Sequence, residues 1–150
     1  GEPVRWQIGL TPEENPDLQY TADLLDQLEA ELCIDTSRVY ATGISNGGLM
    51  SSALACRLPD VFAAVAPVAG VTFLEGCADG PPVSYQATYG TADEILPFEN
   101  ARDRIVPALV KDGYDVDFRP FDGPHRRRVQ DGRAAEKSPG GRSGARGGAK

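Results

Sequence analysis

The amino-acid sequence predicts an α/β architecture, a mostly parallel sheet with helices on both faces forming three layers. Three observations lead there. Helix-period and strand-like segments alternate from about residue 17 to residue 121, and strands separated by helices pair in parallel because the crossover brings the chain back to its starting end. The run Phe62-Ala63-Ala64-Val65-Ala66-Pro67-Val68-Ala69 is continuously apolar and bounded by turns, as a strand buried on both faces would be. Finally, the strand-like stretch Arg38-Val39-Tyr40-Ala41-Thr42 runs into Gly43-Ile44-Ser45-Asn46-Gly47 and then directly into a helical pattern. That is the strand–turn–helix setting in which G-x-S-x-G exposes a serine.

Residues 1–16 read as loop, with a short strand expected at Val4-Arg5-Trp6-Gln7-Ile8 and breaks at Pro12 and Pro16. From Asp17 onward, Leu18, Ala22, Leu25, Leu28 and Leu32 recur at three- and four-residue spacing while Asp23, Asp26, Glu29 and Glu31 fall largely on other faces. This spacing predicts an amphipathic helix. Cys33-Ile34-Asp35-Thr36-Ser37 closes it and turns into a strand over 38–42. A second helix is expected over 47–57, with Ser51-Ser52-Ala53-Leu54-Ala55 small enough to lie close to the sheet, and Pro59 ends it.

The strand over 62–69 follows, and 72–82, with Gly76, Gly80 and two prolines, reads as a loop carrying Cys77. Val83–Tyr89 is expected as the next strand, with Gly90-Thr91-Ala92-Asp93 as the loop at its C-terminal end. A helix over 98–111 places Ala101, Ile105, Ala108 and Leu109 on one face; Pro107 predicts a kink or late start, and Asp112-Gly113 a stop. Tyr114–Phe121 alternates as a half-exposed edge strand does. In such a sheet, ligands bind at the C-terminal ends of the strands.

The 150 residues suit one domain over 1–125 followed by a basic, low-complexity tail over 126–150 that is expected to be disordered, since it lacks apolar periodicity. The net charge of −7 conceals this division: the tail holds eight Arg or Lys against Asp131 and Glu136, so it carries +6 and residues 1–125 carry −13. An acidic body argues against a nucleic-acid or anionic-membrane surface there, whereas the tail can attract polyanions without specificity. No apolar run approaches the ~20 residues needed to span a bilayer, and no signal-peptide pattern opens the chain. With three cysteines, no C-x-x-C and a single histidine, no metal site and no cofactor are expected. Cys33 and Cys56 lie in apolar stretches and read as small buried hydrophobes. No motif bears on the oligomeric state.

Serine is a poor nucleophile until a base takes its proton, and the base must be oriented by a carboxylate. At the turn, Ser45 is expected to stand above the sheet edge, with glycine at 43 and 47 because side chains would not fit beside it. The backbone N–H of Asn46, at the positive end of the following helix dipole, faces the same space and suits an oxyanion. The base must be His125, the only histidine, in the loop Phe121-Asp122-Gly123-Pro124-His125 after the last strand. For the carboxylate, Asp93 leaves the intervening strand on the same side of the sheet; Glu94 beside it and Asp122 near the histidine are the alternatives. The bland readings are a plain turn before a helix and a solvated surface histidine. The order Ser45, Asp93, His125 is that of α/β-hydrolases.

Ile34–Gly48, Leu54-Ala55-Cys56, Phe62–Gly70 and Gly90-Thr91-Ala92-Asp93 together resemble the polyhydroxybutyrate-depolymerase-like esterases, a family that also holds feruloyl and acetyl-xylan esterases; the resemblance covers roughly residues 17–125. It implies an α/β-hydrolase carboxylesterase, extracellular or periplasmic, with Ser45 as nucleophile, Asp93 as acid and His125 as base. It also implies a disulfide between Cys56 and Cys77, with Cys33 as the free thiol. The chain departs from the family pattern at Tyr89, where a histidine usually precedes the glycine, and in the sequence after His125. Only about forty residues precede the elbow, so the family's earlier strands, with the loop that donates a second oxyanion N–H, are expected to be missing. A reading-frame change or altered terminus near His125 is the matching expectation at the other end.

The function expected is ester hydrolysis through an acyl-enzyme on Ser45, the substrate being a hydroxyalkanoate polyester, a feruloyl or acetyl ester, or a small ester. No specific nucleic acid and no membrane partner are expected. The competing readings are a catalytically impaired hydrolase remnant that acts only as a fold or binding surface, and a polyanion binder acting through the tail.

Overall fold

The structure is a computed structural model that describes residues 4–9, 11, 13–77 and 80–125; the expectations for the tail over 126–150 fall outside the described residues. Helix α1 (Pro16–Glu31) begins where Asn15 Oδ1 accepts the N–H groups of Asp17 and Leu18 and Pro16 supplies a preset first-turn φ. Such a cap is worth about 1 kcal/mol. Leu18 is buried on the inner side, and Leu25 packs against the same core. The helix releases Leu32 to solvent, and Cys33 is exposed rather than buried because it lies beyond the end of the apolar face.

Asp35 then caps a 3-10 turn, Thr36–Arg38, by accepting from Ser37 N–H. That turn takes Arg38 from the expected strand and Val39 is its cap, so β1 runs Tyr40–Ile44. Helix α2 (Asn46–Arg57) follows Ser45 directly, and β2 is Ala64–Val68. β3 (Ser84–Ala92) and β4 (Val116–Pro124) each reach about three residues further than their sequence patterns suggest, because they extend one another by parallel pairing up to Ala92↔Pro124. Between them lie a single helical turn α3 (Phe98–Asn100), a π-helical turn Ala101–Ile105 and α4 (Val106–Lys111). The wider π turn ends two residues before Pro107, whose ring and missing N–H fit poorly in a regular helix interior. Val4–Ile8 is not a strand; it has no regular secondary structure and is held by side chains.

The four strands form one parallel sheet in the order β1-β2-β3-β4. Register places Ala41, Val65, Tyr85 and Val116 in one row, with Ala87 and Phe118 in another on the same face. These side chains meet Leu18 of α1, Met50 and Leu54 of α2, Phe98 of α3 and Leu109 of α4 in a single core. The helices of the described residues therefore all lie on one face. The other face carries Tyr40, Thr42, Ile44, Ser84, Gln86, Asp117 and Arg119, all exposed. Of the three layers expected, the described residues build two, and β2 is fully buried on one face only, its Ala64, Ala66 and Val68 remaining half-buried.

Cys56 and Cys77 form a disulfide, tying the C-terminal end of α2 to the loop after β2. Closing a loop of this length, 21 residues, stabilises a fold by about 3 kcal/mol. Beside it the Arg57 guanidinium donates to the carbonyls of Glu75 and Gly76.

Candidate active site

Ser45 adopts φ 56° and ψ −118°, a conformation that costs a non-glycine residue on the order of 1–3 kcal/mol. Close backbone packing holds it there. Ser45 N–H donates to the Val68 carbonyl at 2.9 Å and its own carbonyl accepts Leu49 N–H at 2.9 Å, so the turn is tied to both β2 and α2. A Cβ on Gly70 would stand 2.2 Å from the Ser45 carbonyl oxygen, and one on Gly48 would stand 2.9 Å from the Val68 oxygen. Gly43 is required because its Cβ would sit 2.5 Å from the Gly47 backbone, but a Cβ on Gly47 itself would meet nothing. The expectation that both flanking glycines are needed for space thus holds only for Gly43; the second close approach is made by Gly70, which arrives from the end of β2.

Ser45 Oγ does not cap α2 and is left for other work. Asn46 is the first helical residue, so its N–H is among those an α-helix leaves without an internal partner.

At the other end of the rim, Ala92 and Pro124 are paired across β3 and β4, and the next residue of each strand is Asp93 and His125. Their side chains meet, with His125 Nδ1 2.7 Å from Asp93 Oδ2. Both are buried, at 7% and 6% exposure. Asp93 Oδ1 accepts the N–H groups of Ile95 and Leu96 at 3.0 and 2.8 Å, so each carboxylate oxygen is engaged and the ring it faces is fixed in orientation. Glu94 and Asp122 are exposed, which leaves Asp93 as the histidine's partner. Beneath this pair Tyr89 is buried against Phe98 and Phe118, and burial together with the Asp93 charge pushes its phenol up to about 12. The structure thus joins Asp93 to His125; among the described residues no hydrogen bond joins Ser45 to His125, although both stand at the C-terminal ends of strands in one sheet.

A further set of residues escaped sequence reasoning. Asn15, fully buried, donates from Nδ2 to the Gln7 carbonyl at 2.9 Å, and Asp17 Oδ2 accepts Gln7 N–H at 2.7 Å. Asn46 Oδ1 accepts Trp6 N–H at 2.7 Å while its Nδ2 donates to the Trp6 carbonyl at 3.1 Å. The residue following Ser45 therefore straps the N-terminal segment to the elbow. The Asn-Pro-Asp helix start was a legible cap signal, but nothing in the local pattern ties residue 46 to residue 6.

A sequence model of the prolyl oligopeptidase family matches residues 16–93, more than half of the chain. Feruloyl esterase D of Neurospora crassa is 39% identical over 102 residues, covering 65% of this chain and 35% of that protein. A probable feruloyl esterase C of Aspergillus flavus is 43% identical over 77 residues, covering 51% of this chain and 28% of the relative. The chain thus spans about a third of the length of the curated relatives it matches. Among solved structures, an α/β serine hydrolase homologue from Coxiella burnetii superimposes with a TM-score of 0.54 at 25% identity, covering 83% of this chain and 56% of that one. A thermostable esterase does so with a TM-score of 0.59 at 24% identity, covering 73% and 29%. That second likeness bears on the fold alone, and the fold it bears on is the α/β-hydrolase fold built above from the parallel sheet and the strained serine turn. By the sequence match and the architecture together, this chain belongs to the prolyl oligopeptidase family of α/β-hydrolases.

Proposed function

We propose that this chain carries the catalytic residues of a serine carboxylesterase that cleaves feruloyl-type esters. The observation that carries the reading is the buried Asp93–His125 pair at 2.7 Å, set on the same sheet rim as a serine held in a strained turn. The names of the relatives, feruloyl esterases C and D, supply the substrate class.

In this reading His125, with Nδ1 engaged by Asp93, presents Nε2 to Ser45 and takes the Oγ proton as Oγ attacks the ester carbonyl. Catalytic hydrogen bonds often tighten only when substrate is bound, and the Ser45 to His125 step is assigned to that stage. The carbonyl oxygen becomes an oxyanion that accepts from Asn46 N–H. Collapse expels the alcohol, which leaves with the proton held by His125, and water then repeats the sequence to release the acid and free Ser45. Asp93 orients the ring and stabilises the imidazolium. The Cys56–Cys77 disulfide supports a site of action outside the reducing cytoplasm.

The test is covalent labelling with a fluorophosphonate, followed by mass mapping of the adduct, on the chain as given and on Ser45→Ala and His125→Ala. One adduct, on Ser45 and dependent on His125, is the expected result. A folded chain that takes no label would overturn the reading, and binding of an ester without labelling would transfer the site to a ligand-holding role.

A further inference from the structure

The segment around Trp6 has no regular secondary structure, and its side chains are largely exposed, yet its backbone is fixed at four points by three side chains that the fold holds in place: Asn15, Asp17 and Asn46. Two of those points are the reciprocal pair between the Asn46 amide and the Trp6 peptide groups. An amide satisfied at both ends against one residue's backbone fixes that residue's position without using its side chain. The Trp6 indole is correspondingly left 42% exposed. A large aromatic whose backbone is clamped while its ring stays open is preorganised to receive something, because little further ordering is needed when a ligand arrives.

What it can receive is set by the neighbouring walls. Trp6 borders a cavity of about 450 Å³ whose other walls are Val4, Arg5, Asp17, Ile44, Asn46 and Gly47. Ile44, Asn46 and Gly47 flank Ser45 in the chain, and Ile44 is 47% exposed, so an apolar side chain and an indole stand beside the nucleophile turn. The volume lies within the roughly 300–1,000 Å³ range of small-molecule sites. We infer that Trp6, clamped by the Asn46 side chain, is the specificity-determining residue of an aromatic-acyl subsite next to Ser45, its indole stacking on the planar ring of an arylpropanoyl ester. This rests on the esterase reading for the position of the scissile bond and adds which side chain selects the acyl group.

Trp6 is the single tryptophan of the chain, so its fluorescence reports the subsite independently of catalysis. The Ser45→Ala chain, all 150 residues, is titrated with methyl 3-phenylpropanoate and, separately, with methyl hexanoate. Saturable change in emission with the aryl ester at concentrations where the alkyl ester gives none is the expected result; an identical response to both, or none to either, overturns the inference. In the unsubstituted chain, Trp6→Ala is expected to lower the ratio of kcat/KM for the aryl over the alkyl ester by about tenfold, the order of one aromatic stacking contact. A ratio that does not move also overturns it. Fluorophosphonate labelling separates the two ideas: labelling at Ser45 without an aryl response sinks the subsite and spares the esterase, whereas a saturable aryl response without labelling does the reverse.

Discussion

The two arms of the candidate site are positioned by different physics. The serine arm, β1 to α2, is held by volume. Ser45 is kept at φ 56° because the backbones of Gly43, Gly47, Gly48 and Gly70 approach too closely for it to relax. The Asp93–His125 arm, β3 to β4, is held by polar satisfaction: Asp93 gives one oxygen to His125 and the other to two backbone N–H groups, over an aromatic floor of Tyr89, Phe98 and Phe118. An arm held by volume is intolerant of added atoms, and an arm held by hydrogen bonds is intolerant of changed charge. Changed charge should therefore break the second arm and spare the first, whereas added atoms strain the first and, at Gly90, where a Cβ would stand 2.5 Å from the Gly123 and Pro124 oxygens, the second as well.

The largest effect is expected from charge. Asp93→Asn preserves shape but lets the ring adopt the wrong tautomer, and in a comparable triad that change costs about 10⁴ in rate. The rate of fluorophosphonate labelling of Ser45 should fall on that scale with the melting temperature little altered; a labelling rate unchanged in Asp93→Asn would show that the buried pair is structural. On the other arm, Gly70→Ala changes no charge but drives a Cβ to 2.2 Å from the Ser45 carbonyl oxygen. Overpacking of this kind costs about 1–3 kcal/mol, and labelling should drop with the melting temperature. Labelling and stability equal to those of the unsubstituted chain would mean that the elbow relaxes at no cost.

A pH titration sharpens the contrast. Burial and the nearby Asp93 charge raise the Tyr89 phenol from 10.0 to about 12, and Tyr85 and Tyr114 are pushed in the same direction, chiefly by burial. From about pH 10 the unfolded chain sheds phenol protons that the folded chain retains, so stability should fall as pH rises from about 10 to about 12. Tyr89→Phe should flatten part of that fall, measured as melting temperature against pH; an identical slope would remove Tyr89 from the account. The smallest effect is expected at Gly47→Ala. Its Cβ meets nothing, and alanine in a helix is favoured over glycine by up to about 1 kcal/mol, so a slight rise in melting temperature is expected. Destabilisation there would show that the first turn of α2 is tighter than its open surroundings indicate.

Much of this was legible along the chain. The elbow announced itself because G-x-S-x-G sat between a strand-like and a helix-like pattern, and Asp93 and His125 followed from needing an acid and the only histidine in loops at one end of a parallel sheet. The ends of β3 and β4 were not legible, since Gly90 to Ala92 and Asp122 to Pro124 carry turn-like residues and become strand only by pairing with each other. Glycine at 43 was readable from the turn, but the reason for glycine at 70 was not, because its obstruction is the Ser45 carbonyl twenty-five residues earlier.

The same division holds for the layers and the strap. Periodicity and residue order are local quantities, and they suffice for the element sequence, the parallel sheet and the short set of candidate site residues, Ser45, His125 and an acid among Asp93, Glu94 and Asp122. Which face of the sheet the helices cover, which of three acids turns toward His125, and that Asn46 reaches back to hold Trp6 depend on distances between residues far apart in sequence. Those distances exist only once the backbone has closed, which is why folding, and not the order of residues, settles them.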